Sequence, residues 1–203
     1  NGFESEYKGV LKDQISTIKE ALESCINYDI IITSGGASKG EADYMSEVLD
    51  LLGFKMLFNS IDARPAKPTK CYKKDDKFIF VLPGNPMSCL LATYITVLPL
   101  TKKLAGFSEF LPQMQIAKFK GNLKFKANRA NIVIGTAKTG EFRATNDNIY
   151  SPSMIKPISL SNFIYISSIG ESGIEDNKEI KIFKISWQVS KNMVSFHFNS
   201  TKC

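Results

Sequence analysis

One histidine (His197), one tryptophan and four cysteines in 203 residues narrow the chemistry before any motif is read. A single histidine within the chain excludes Ser-His-Asp and Cys-His catalysis built from its own residues. None of Cys25, Cys71, Cys89 and Cys203 falls in a C-x-x-C pair, which excludes a zinc-type cluster. Cys25 and Cys89 lie on apolar helical stripes as buried thiols, and the usage fits a reducing cytosol, so a cytoplasmic location is expected. No apolar run approaches the roughly 20 residues of a membrane span, and no basic-apolar leader opens the chain. It begins Asn1-Gly2-Phe3 without an initiator Met and reads as a piece of a longer protein.

The net charge of +6 is unevenly spread. Residues 1–110 carry 13 basic against 14 acidic side chains, whereas residues 111–203 carry 13 against 6. The basic character therefore belongs to the second half, as a solvated lysine face. Weak aromatic clustering and the lack of a recognisable motif argue against a nucleic-acid partner.

Hydrophobic periodicity divides the chain in two. Residues 3–10 alternate loosely, as a short strand would. Asp13 then offers an N-cap to a helix with the stripe Ile15, Ile18, Leu22, Cys25 and Ile26. Ile30-Ile31-Ile32-Thr33 is a β-branched strand, and Tyr44, Met45, Val48, Leu49 and Leu52 form a helix stopped by Gly53. Residues 55–61 read as a strand, residues 73–77 as a hairpin tip and residues 78–82 as a further apolar strand. A helical stripe follows Pro86, with Asn85 as its cap, and Pro99 is expected to kink or end it. Strands alternating with helices of this length predict βαβ units and a parallel sheet. Beyond Pro112 the texture changes to short runs such as 115–119, 132–135, 162–166, 180–185 and 194–198, with no convincing helix. The expected organisation is an α/β domain over residues 1–109 and a small all-β barrel-like domain over 110–203.

Three loops share one address at the carboxyl ends of strands, where open α/β sheets bind ligands. After the first, Gly35-Gly36 lets the backbone approach a ligand, and its N–H groups with the Ser34 and Ser38 hydroxyls form a cradle for an oxyanion. Glu41 and Asp43 follow at the start of a helix, where carboxylates suit a hard cation and equally oppose the helix dipole. Arg64, Lys67 and Pro68 lie on the second loop, the two cations facing anionic groups. Pro83-Gly84-Asn85-Pro86, with Ser88, forms the third. Taken together, the pattern supports an anion-binding α/β domain, with metal assistance left open.

Thr33-Ser34-Gly35-Gly36-Ala37-Ser38-Lys39-Gly40-Glu41-Ala42-Asp43 resembles the TSGGxSxGExD element of molybdopterin molybdotransferases, the MoeA/gephyrin E-domain family. In the same order, Arg64-Pro65-Ala66-Lys67-Pro68 is similar to that family's KPGKP loop, with Ala66 where the family has glycine. Leu82-Pro83-Gly84-Asn85-Pro86-Met87-Ser88 is similar to its LPGNPxS turn. The resemblance implies a three-layer molybdopterin-binding α/β domain, lacking its first strand-helix unit, followed by a β-barrel domain. It implies insertion of molybdate into adenylylated molybdopterin with release of AMP, assisted by Mg2+. Under it, Asp43 and Glu41 would hold the metal and, with Lys67, act catalytically. Ser34, Gly35, Gly36, Ser38, Arg64, Pro68, Pro83, Gly84, Asn85, Pro86 and Ser88 would line the substrate pocket. A homodimer of the full-length protein, contact with a molybdopterin adenylyltransferase, and no turnover by these residues alone are further implications.

Two other readings use the same scaffold. A molybdopterin adenylyltransferase of the MogA type shares the α/β domain, but its turn usually reads GGTG and it lacks an appended β module. A gephyrin-like scaffold for dimerisation would have no need of Glu41, Asp43 and Lys67.

Overall fold

Five consecutive apolar residues, Phe78 to Leu82, can be buried only in a strand covered on both faces, and that strand is the centre of the α/β part. The computed structural model describes residues 3–35 and 44–185. In chain order these form α1 (Ile15–Ser24), β1 (Ile30–Ser34), α2 (Tyr44–Leu51), β2 (Lys55–Phe58), β3 (Ala63–Arg64), β4 (Lys70–Lys74) and β5 (Lys77–Leu82). There follow α3 (Pro86–Ala92), a π turn (Thr93–Val97) and α4 (Leu98–Leu104). The remainder comprises β6 (Met114–Phe119), β7 (Leu123–Lys124), β8 (Ala130–Lys138), β9 (Glu141–Ala144), the one-turn α5 (Lys156–Ser159), β10 (Phe163–Ile166), β11 (Gly173–Ile174) and β12 (Glu179–Lys184).

The first sheet has the order β1-β5-β4-β2. Alternation along β5 sends Ile79 and Val81 to a cluster with Ile18, Leu22, Met45, Val48 and Leu49 of α1 and α2. Phe80 and Leu82 point the other way, into a cluster with Met87, Leu91 and Ala92 of α3. Helices on both faces make three layers, as expected. The sheet is mixed: β1 and β5 are parallel, whereas β4 is antiparallel to both β5 and β2 because β4 and β5 form a hairpin. Two antiparallel steps leave β2 running the same way as β5, so β1, β2 and β5 all end at one edge of the sheet.

The second half closes into a barrel of five strands, β10-β12-β6-β9-β8, sealed by the pairing of β8 with β10. Phe119, Val133, Phe142, Tyr165 and Ile182 fill its interior. Four of the five β runs expected there are strands, and residues 194–198 lie outside the described residues.

Three local expectations are corrected. Residues 3–10 form no strand, and no ladder partner lies beside them among the described residues. The cap of α1 is Gln14 in extended conformation, without a side-chain cap bond, rather than Asp13. Pro99 does not end its helix: the run continues to Leu104, and the irregularity before the proline is a π turn, with the Thr93 and Thr96 hydroxyls donating to the carbonyls of Cys89 and Ala92.

Candidate functional site

The parallel pair β1/β5 carries the first and third loops side by side. Gly35, at φ 94°, occupies backbone space that favours glycine, and its N–H donates to the Leu82 carbonyl at 3.1 Å. A Cβ built on Gly84 would stand 3.6 Å from Gly35 Cα. The two glycine turns therefore lie side by side, their backbones close enough that a side chain on Gly84 would touch Gly35. Ser34 is exposed at the end of β1, Pro83 is buried, and Gly84 and Asn85 are exposed beside it.

Pro86 is the first residue of α3 and Asn85 its N-cap, but the Asn85 side chain makes no cap hydrogen bond. The Met87 N–H in that first turn instead donates to the carbonyl of Pro152, from the barrel half, at 3.0 Å. Ser88 is buried beneath the turn. The barrel half thus supplies one wall of the strand-end crevice, a contribution that sequence reasoning missed.

The second loop is bridged to the barrel. Ala63 and Arg64 pair in parallel with Ala130 and Asn131 of β8, and the Ala130 N–H donates to the Asp62 carbonyl at 3.0 Å. The Arg64–Pro65 bond is cis. Ala66 is buried with φ 120°, and its carbonyl accepts from the Thr69 hydroxyl at 2.6 Å. Its methyl joins the cluster that holds Leu82 and Met87, which seats this loop against the third. Arg64, Lys67 and Pro68 are exposed, and neither cation makes a salt bridge among the described residues. Two positive side chains at this edge are available to an anion.

Gly36, Ser38, Glu41 and Asp43 lie outside the described residues. No group of three or more His, Cys, Asp or Glu able to hold a metal occurs among the described residues. Cys71, in β4 beneath this edge, is a free thiol pushed by burial up to about 11 and so stays protonated at neutral pH. Two other residues escaped sequence reasoning. Lys70, the first residue of β4, donates to the Ser46 hydroxyl of α2 at 3.2 Å, and Ser46 is 2.6 Å from the buried Tyr72 hydroxyl. The alternation of Lys70 and Tyr72 was the available signal, hidden because β4 runs directly into the lysine-rich hairpin tip at residues 73–77.

Residues 1–103 match a family described as a probable molybdopterin binding domain. The chain belongs to this family. A molybdopterin molybdenumtransferase of Staphylococcus aureus (strain Mu50) is 35% identical over 113 residues, 56% of this chain and 26% of the relative. One of Nostoc sp. is 27% identical over 194 residues, 91% of this chain and 44% of the relative. The chain therefore spans between about a quarter and under half the length of the curated relatives it matches. A solved molybdopterin biosynthesis MoeA protein from Pyrococcus horikosii superposes with a TM-score of 0.71 at 21% identity, covering 88% of this chain and 43% of that one. A molybdenum cofactor biosynthesis protein from Pyrococcus furiosus gives 0.69 at 18% identity, with 88% and 57% covered. Those two similarities establish the fold, an α/β sheet domain followed by a barrel. The sequence resemblance to molybdopterin molybdotransferases is met by the family match, and the crevice described above is the strand-end edge of a molybdopterin binding domain.

Proposed function

We propose that this chain is the molybdopterin-binding portion of a molybdopterin molybdotransferase, an enzyme of molybdenum cofactor biosynthesis that inserts molybdate into adenylylated molybdopterin and releases AMP. The observation that carries the reading is the close approach of the Gly35 and Gly84 turns at the shared carboxyl ends of β1 and β5, on an edge that also carries the exposed cations Arg64 and Lys67. Backbone N–H groups, with guanidinium and ammonium groups that form no salt bridge among the described residues, suit a phosphorylated, doubly anionic ligand better than a neutral one.

In this reading Ser34, Gly35, Gly36, Ser38 and the turn Pro83, Gly84, Asn85, Pro86 and Ser88 receive the pterin phosphate, with Pro68 shaping the rim. Arg64 and Lys67 hold molybdate or phosphate oxygens. Asp43, and with it Glu41, carries the chemistry at the phosphoanhydride. Two carboxylates and substrate phosphate oxygens form a donor set that suits Mg2+, which when bound would neutralise charge on those oxygens. The full-length protein would act as a homodimer in the cytoplasm and receive its substrate from a molybdopterin adenylyltransferase.

Anaerobic titration of the 203-residue chain with molybdopterin tests the pocket. Gly84→Val places branches between the two turns, where the Cβ alone would stand 3.6 Å from Gly35 Cα. Its affinity is expected to fall by about tenfold or more with little change in melting temperature. Unchanged binding by Gly84→Val would locate the pocket elsewhere. Asp43→Ala is expected to abolish molybdate insertion in the full-length protein, and insertion at the wild-type rate would remove Asp43 from the chemistry.

A further inference from the structure

Lys70 stands where three parts of the proposed site meet. It is two residues beyond Pro68, the end of the second loop. In the ladder it pairs with Val81 of β5, and Val81 pairs on its other side with Thr33 of β1. Thr33, Val81 and Lys70 are one row across three strands, so strand alternation points their side chains to the same face. That face is covered by α2, because Val81 packs with Met45, Val48 and Leu49. Tyr72, two residues on from Lys70, faces the same way and is fully buried in that cluster.

At this spot the otherwise apolar layer becomes polar. The Lys70 ammonium donates to the Ser46 Oγ at 3.2 Å, and the Ser46 Oγ lies 2.6 Å from the Tyr72 hydroxyl. The Thr33 hydroxyl in the same row is buried and has no hydrogen-bond partner among the described residues. Ser46 is the third residue of α2. The contact therefore fixes the first turn of α2 against β4 by a charge-assisted bond, which is directional where apolar packing tolerates sliding. Asp43 is bonded directly to Tyr44, the first residue of α2, and consecutive Cα atoms lie about 3.8 Å apart. The contact thereby holds Tyr44, the residue that follows Asp43 in sequence, at the entry to α2.

We infer that Lys70 is a positioning residue: through Ser46 it fixes the amino end of α2 relative to the strand ends that carry Gly35, Gly84 and the second loop. The inference rests on the reading of that edge as the molybdopterin site.

The test is molybdopterin titration of the 203-residue chain, well below the melting midpoint, for Lys70→Met, Lys70→Arg, Lys70→Gln and Ser46→Ala. Lys55→Met, an exposed lysine of β2, is the control. Loss of the charge-assisted hydrogen bond to Ser46 predicts an affinity about tenfold weaker for Lys70→Met and Lys70→Gln, with Lys70→Arg within about threefold of wild type. A role confined to stability would lower the melting midpoint but leave the affinity of the folded chain unchanged. Wild-type affinity in Lys70→Met, with Gly84→Val impaired, overturns the role of Lys70 while the site stands. Absence of binding by the wild-type chain overturns the site reading and this inference with it. If Lys70→Met does not fold, Ser46→Ala decides, because it removes the acceptor and keeps the cation. An affinity about threefold weaker or more supports the inference, and wild-type affinity overturns it.

Discussion

Ala66 holds a φ of 120°, in the half of backbone space that favours glycine, while its methyl is buried in the cluster beneath the third loop. A side chain in that conformation costs on the order of 1–3 kcal/mol. Replacing it by glycine relieves that cost and gives up the burial of one methyl, about 0.8 kcal/mol, together with some backbone entropy of similar size. The opposing terms nearly cancel. Ala66→Gly is therefore expected to unfold in urea within about 1 kcal/mol of wild type. Ala92→Gly, at an equally buried helical position, should cost more than about 1 kcal/mol because helix propensity and burial act together. If the two losses were equal, the loop would hold alanine without strain. The alanine was visible in the sequence as a departure from a glycine-bearing motif; the price of that departure was not, since φ is a property of the folded loop. The placement of Arg64, Lys67 and the two glycine turns after strand ends was likewise legible in the sequence, whereas Lys70 gained meaning only from its row in the sheet.

At the scale of elements, the strands and helices with clean periodicity were legible and those made by distant partners were not. β5 announced itself by five apolar residues, and α1 and α2 by their stripes. β3 is two residues long and exists because β8, over sixty residues away, pairs with it. β8 pairs with β9 and β10 around the barrel as well as with β3. Its Gly135 packs so closely against β9 that an added Cβ would lie 2.2 Å from the Arg143 carbonyl oxygen and 2.5 Å from the Phe142 ring. The backbone oxygen cannot yield without breaking the β8–β9 ladder. Gly135→Ala should therefore cost more than about 3 kcal/mol, or prevent folding, in chemical denaturation. Gly140, in the β8–β9 turn with nothing within 4 Å of its Cβ position, is the contrast. Alanine there meets only the strain of a positive φ, about 1 kcal/mol. Comparable losses at both positions would contradict the close approach of β8 to β9.

For the whole molecule, the change of texture near residue 110 and the continuity of the core pull in different directions. We propose residues 1–109 and 110–203 as units of organisation, yet one cluster crosses between them. Phe80, Leu82, Met87 and Leu91 pack with Ile132, Ile134, Ile158, Ile164 and Ile185. The barrel also has a core of its own, formed by Phe119, Val133, Phe142, Phe163, Tyr165 and Ile182. Stripping the first half away would expose the outer faces of five buried isoleucines, each worth roughly 1.5–3 kcal/mol when fully covered. Even at half that value the sum is on the order of 5 kcal/mol, the lower end of the net stability of a domain. Residues 110–203 expressed alone should keep β-type circular dichroism from the inner core but bind a hydrophobic dye and melt without a sharp transition. Adding residues 1–109 in trans should reduce the dye binding. A sharp melt at the midpoint of the intact chain would show instead that the inner core suffices. The seam at residue 110 would then be a boundary of stability as well as of sequence, and the crevice wall formed by Pro152 would be a docked surface rather than part of one folded core.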